Sequence, residues 1–165
     1  MNLRKHWSLA YLLYYFCVLS YWVLSLIIIS DLLAPVYFTV LGVNTYNIGS
    51  AIIQLSGRLI TLSLLWIFFH QLSIILLPIA KGQPFKKETP IKLKVIGWAI
   101  LLFSVLDPLF YSLIYNDSGS AFNEYLSLFT EYFNPLFILF AFFTFVLSYV
   151  FKEGTRIYEE QKLTV

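Results

Sequence analysis

The sequence predicts an all-α integral membrane protein, a four-helix bundle with its N-terminus and C-terminus both cytoplasmic. Three observations predict it. Four long apolar runs, each bounded by charge, fill the chain. Of its 165 residues 59% are hydrophobic and only 12% are charged, against about 25% charged in ordinary globular domains. The basic residues fall on one side of the implied helical hairpins. A helix needs about 20 apolar residues to cross the roughly 30 Å hydrocarbon core, and each run is close to that length. Four such spans with short connections leave no segment for a separate soluble domain. The chain reads as one transmembrane domain over residues 1–165.

Span one covers 9–33. Trp7, Tyr11, Tyr14 and Tyr15 cluster near its start, where an amphipathic ring sits well at headgroup level. Arg4 and Lys5 precede it, as in a secretory signal. The apolar stretch exceeds the roughly 7–15 residues of a signal core, and no small-x-small cleavage site follows. It reads as a retained span, with Pro35 at its exit. The next connection carries turn formers at Gly42, Asn44, Asn47, Gly49 and Ser50. Residues 48–55 either lie on the membrane surface or extend span two outward.

Span two covers 59–80 and ends near Pro78. A basic segment follows from Lys81 to Lys94, with a turn at Gly82-Gln83-Pro84. Thr89 followed by Pro90 predicts a helix N-cap with proline in the first helical position. Span three covers 95–115. The connection from Asn116 to Glu131 is acidic and opens on the turn sequence Asn116-Asp117-Ser118-Gly119. Asn134-Pro135 is a boundary signal beside span four, 132–151, which is crowded with phenylalanines. The tail, 152–165, predicts a short cytoplasmic helix, with Arg156 and Glu160 spaced to pair across one turn.

Orientation follows from the cations. Arg4 and Lys5 flank span one. Lys81, Lys86, Lys87, Lys92 and Lys94 lie between spans two and three, and Lys152, Arg156 and Lys162 follow span four. Four spans place all of these on one side, with only Arg58 on the other. Lys/Arg excess marks the cytoplasmic side, which predicts a multi-pass protein of a bacterial plasma (inner) membrane.

Ionisable groups inside a membrane are functional candidates by default. Asp31, Arg58, His70 and Asp107 form the candidate intramembrane cluster. Asp107-Pro108 reads either as part of an outward-facing polar cavity or, with more weight, as an interfacial acid that is solvated or paired. Arg58 has Asp31 and Asp107 at its own depth, so a structural salt bridge outweighs a ligand site. His70 and Gln71 lie near the middle of span two. With no ligand-spaced His, Cys or carboxylate nearby, interhelical hydrogen bonding outweighs a metal or proton-relay role. Cys17 is the only cysteine, which rules out an intrachain disulfide and leaves a small apolar filler. No Walker loop, dinucleotide fingerprint, HExxH or GxSxG is present. The residues predict no catalytic, cofactor or metal site and no enzyme. The basic loop offers no groove-reading element, so direct nucleic-acid binding is not expected.

Two segments carry a resemblance. Gly82-Gln83-Pro84-Phe85-Lys86-Lys87-Glu88, with Leu93 and Ile96-Gly97-Trp98, is similar to the loop and helix start of domain-of-unknown-function family 2975. The tail Phe151-Lys152-Glu153-Gly154, with Arg156, Glu159-Glu160-Gln161 and Leu163-Thr164-Val165, resembles that family's C-terminal signature. The chain departs from the pattern at Thr89-Pro90 and at Ile157-Tyr158. The resemblance implies a small bacterial four-span membrane protein without an assigned activity. It further implies a cytosolic partner, a small helix-turn-helix transcription regulator. The candidate docking residues are Pro84, Phe85, Lys86, Lys87, Gly154, Arg156 and Glu160. Two further readings stand beside a regulator or sensor. One is a small transporter or channel component with a polar path through Asp107, Arg58, Asp31 and His70. The other is an unrecognised membrane enzyme acting on lipid. A homo-oligomer is compatible with all of them. The small residues that permit close helix approach are few: Gly97, Ala99, Ser104 and Ala141.

Overall fold

Among the described residues the chain forms five helices: α1 (Leu3–Val40), α2 (Ile48–Ala80), α3 (Thr89–Tyr115), α4 (Phe122–Tyr132) and α5 (Pro135–Leu163). The computed structural model describes the backbone of residues 3–40, 48–83, 86–115 and 122–163, and the side chains of 9–33, 52–83, 86–113 and 125–161. Segments Leu9–Leu33, Ile52–Ala80, Thr89–Leu113 and Pro135–Gln161 are long and apolar enough to cross a membrane. Of the expected turn residues, Gly42, Asn44, Asn47 and 116–119 lie outside the described residues, whereas Gly49 and Ser50 fall within the first turn of α2.

Helix ends follow local chemistry. At the end of α2, Gly82 adopts φ 78°, the left-handed conformation that glycine takes without steric cost. Gln83 N donates to Pro78 O at 2.9 Å and Gly82 N to Ile79 O at 3.0 Å. This pair of bonds is a Schellman cap, which satisfies the last carbonyls of the helix. At the start of α3 the Lys92 amide donates to Glu88 O at 3.0 Å. Glu88 therefore occupies the cap position, one residue before the Thr89 expected there, and Pro90 falls second. Its missing N–H costs nothing within a first turn. At the start of α5, Asn134 Oδ1 accepts from Leu136 N at 3.0 Å, with Pro135 as the first helical residue.

Three differences from the sequence reading concern length. α1 continues through Pro35 to Val40, and α2 begins at Ile48. Residues 48–55 therefore extend the second span outward. α5 begins at Pro135, three residues after the expected start of span four, and joins that span and the expected tail helix in one unbroken run to Leu163. The fourth difference is an added element. α4 lies in the connection read from sequence as an acidic loop. Tyr125, Leu126, Phe129 and Tyr132 recur at helical spacing along it. It packs on α3, where the rings of Tyr111 and Tyr132 approach to 3.7 Å.

The long helices pack in series. Their backbones approach closely between α1 and α2, α2 and α3, and α3 and α5. Among the described residues α1 makes no such approach to α3 or α5, so the row is not closed into a ring. Side-chain pairs show that neighbours run antiparallel: Trp66 with Ser25 and Arg58 with Asp31, and Phe103 with Phe137 and Trp98 with Phe145. The start of α1, the α2–α3 connection and the end of α5 therefore share one end, the basic one.

Close approach is made by small residues. Ala99, Ser104 and Ala141 are buried, and a Cβ at Gly97 would meet the Phe145 ring at 2.7 Å. Gly57 stands in the same relation to Phe110, at 2.7 Å. The small residues noted in the sequence are thus consumed within one chain. The buried core is slight: Ile75, Leu93 and Ile96, with Phe68, Leu72, Ile79, Ile100, Leu147 and Phe151 around them. By contrast Leu12, Leu26 and Leu139 are each at least 64% exposed. Burying such side chains is worth about 1.5–3 kcal/mol apiece. A molecule that leaves them outside needs an apolar surrounding, and the chain is a multi-pass membrane protein.

Candidate functional site

The four candidate intramembrane residues occupy three separate places. Arg58 Nε lies 2.7 Å from Asp31 Oδ2, joining α2 to α1. His70 lies twelve positions further along α2, about 18 Å at 1.5 Å per residue. Asp107 is exposed on α3, and among the described residues no ion pair reaches it. Among the described residues no three His, Cys, Asp or Glu side chains gather as a metal site would require.

His70 belongs to an aromatic cluster. Its ring stacks on Trp66 at 4.9 Å and 6°, and Tyr21 sets its edge against both rings. The polar link between the helices is made beside it: Trp66 Nε1 donates to Ser25 Oγ at 2.8 Å. The Ser25 hydroxyl donates in turn to the Tyr21 carbonyl at 2.8 Å. The interhelical bond foreseen for His70 or Gln71 is therefore made by Trp66, and Gln71 Oε1 is buried without a hydrogen-bond partner among the described residues. Sequence reasoning missed Trp66. Its spacing of four from His70, which puts both on one helix face, was the available signal.

Towards the basic end, α1, α2 and the first turn of α3 line an open cavity of ≈ 320 Å³. Tyr21, His70 and Ser73 line it furthest from the basic end, Tyr14 lies a turn or more nearer that end along α1, and Lys86, Glu88 and Lys92 stand at that end. Val18, Ile74 and Leu77 supply apolar wall. A second space, an apolar groove of ≈ 490 Å³, lies between α2 and α5 with α3 as its floor. Phe68, Phe103, Phe137 and Phe143 are among its walls.

The candidate docking residues lie at this same end. Pro84 and Phe85 fall outside the described residues. Lys86 faces the polar cavity. Its neighbour Lys87 reaches across to the tail, with Nζ 3.1 Å from Glu159 Oε1. Gly154 lies within α5. Arg156 pairs with Glu153 at 3.1 Å and with Glu160 at 3.6 Å, the second being the one-turn pair read from the sequence. Ser148 Oγ donates to Pro90 O at 2.7 Å, which ties α5 to the start of α3 just below.

No curated protein and no solved structure matches this chain. One family model does match, over residues 8–165, and its description is Protein of unknown function (DUF2975). The match covers nearly every residue of the row of helices, the basic loop and the tail, and the chain belongs to that family.

Proposed function

We propose that this is a non-enzymatic protein of the bacterial plasma membrane whose basic end faces the cytoplasm and holds a small helix-turn-helix transcription regulator. The observation that carries the reading is the 3.1 Å pair between Lys87 and Glu159. It joins the basic loop to the tail helix, so two segments remote in sequence offer one surface. The tail is a continuous helix carrying charges of both signs at Glu153, Arg156, Glu159 and Glu160, and such a face suits a polar, reversible contact. The lysine excess at this end supports the cytoplasmic orientation. The transporter alternative has less support, since the outer charges and His70 stand about 18 Å apart along α2.

The test is direct binding of the purified regulator to full-length protein in micelles. Removing the residues after Phe151, or scrambling 83–88, should abolish binding. Exchanging the charges as K87E with E159K should restore what either change alone weakens. Unchanged binding after both the truncation and the scramble would overturn the reading.

A further inference from the structure

We infer that the cavity between α1, α2 and the first turn of α3 is a binding site for a monoanionic amphiphile. It does not depend on a docked regulator. The cavity's ≈ 320 Å³ falls within the roughly 300–1,000 Å³ of ligand sites. Its lining is graded. Lys86, Lys92 and Glu88 stand at the outer mouth. Two ammonium groups against one carboxylate leave one positive charge for a ligand to neutralise. Basic pockets between helices at a membrane surface recognise anionic headgroups in this way. The first turn of α3 adds the positive end of a helix, with Thr89 in the wall.

Deeper in, the wall turns apolar at Val18, Ile74 and Leu77, which suits a hydrocarbon chain. At the inner end the lining is Tyr21, His70 and Ser73. The Ser73 hydroxyl is already committed to the His70 carbonyl at 2.7 Å. The His70 ring is held by stacking on Trp66, and among the described residues no hydrogen bond reaches its nitrogens. A ring nitrogen fixed in place and left without a partner in a cavity wall is available to a polar atom of the occupant. The head class is a single negative charge, from either a phosphodiester lipid or a free fatty acid.

The experiment is native mass spectrometry of the full-length protein in neutral detergent. The probes are dioleoyl-phosphatidylglycerol, dioleoyl-phosphatidylcholine and oleate, added separately. The protein should retain one anionic molecule with about tenfold preference over phosphatidylcholine. The double variant K86S with K92S should lose that preference. The variant K81S with K94S removes the same charge outside the cavity and should keep it. Retention of phosphatidylglycerol alone assigns the head to a phosphodiester, and retention of oleate alone assigns it to a carboxylate. Equal retention of phosphatidylcholine, retention of neither anion, or equal loss in both double variants would overturn the site.

Discussion

Arg58 and Asp31 form an unequal pair: 2.7 Å apart, with the acid side chain only 14% exposed and the guanidinium side chain 64% exposed. The carboxylate is the group that depends on its partner, since the arginine can turn its charge towards headgroups or water. Removing the arginine strands a largely buried acid, whereas neutralising the acid strands nothing buried. Arg58→Ala should therefore cost about 1–2 kcal/mol and Asp31→Asn less than about 1 kcal/mol. Unfolding of the two variants in mixed micelles measures the difference. Equal costs would show that the pair acts as an ordinary surface bridge.

Trp66 and Ser25 make the described interhelical hydrogen bond between α1 and α2 side chains, at 2.8 Å. Such bonds in membranes average about 0.6 kcal/mol and reach about 1.7 kcal/mol. Trp66→Phe keeps a stacking ring beside His70 and removes the donor. Ser25→Ala removes the acceptor. A double-mutant cycle of unfolding free energies should give a coupling of about 0.6–1.7 kcal/mol, and a coupling of zero would place the contact among incidental ones.

Gly97 faces the Phe145 ring at a distance where a methyl group does not fit, 2.7 Å. An alanine would gain about 1 kcal/mol of helix propensity but must push α3 from α5 or rotate the ring. Overpacking of this kind costs about 1–3 kcal/mol. Gly97→Ala should lower the unfolding temperature, and adding Phe145→Leu should recover part of the loss. Failure of the second change to help would locate the strain elsewhere.

Asn134 caps α5 through the Leu136 amide at 3.0 Å. Asn134→Ala should cost about 1 kcal/mol and Asn134→Ser much less. Hydrogen exchange at Leu136 and Phe137, compared with unchanged exchange in α2, checks both size and locality.

The four spans were legible because length and charge boundaries are one-dimensional properties. The pairing of Arg58 with Asp31 was legible for a related reason: antiparallel spans bring outer charges to one depth. What each helix turns towards its neighbours was not legible. In a soluble helix the buried face is marked by apolar spacing, but α1 and α2 are apolar on every side, so Trp66 and Ser25 carried no mark. The short helix α4 was concealed differently. Its acids and the turn sequence before it read as a loop, although Tyr125, Leu126, Phe129 and Tyr132 follow a helical period. The polar cavity lay hidden because its walls come from three segments. No spacing within one segment announces that Tyr14, His70 and Lys92 share a space.

The unbroken course of α5 has a mechanical meaning. Its 29 residues measure about 44 Å, against roughly 30 Å of hydrocarbon. Something near two to three turns must stand clear of the oil as the same rigid rod. A twist or tilt imposed on the half that crosses the bilayer is delivered at the far tip without slack, because no hinge intervenes to absorb it.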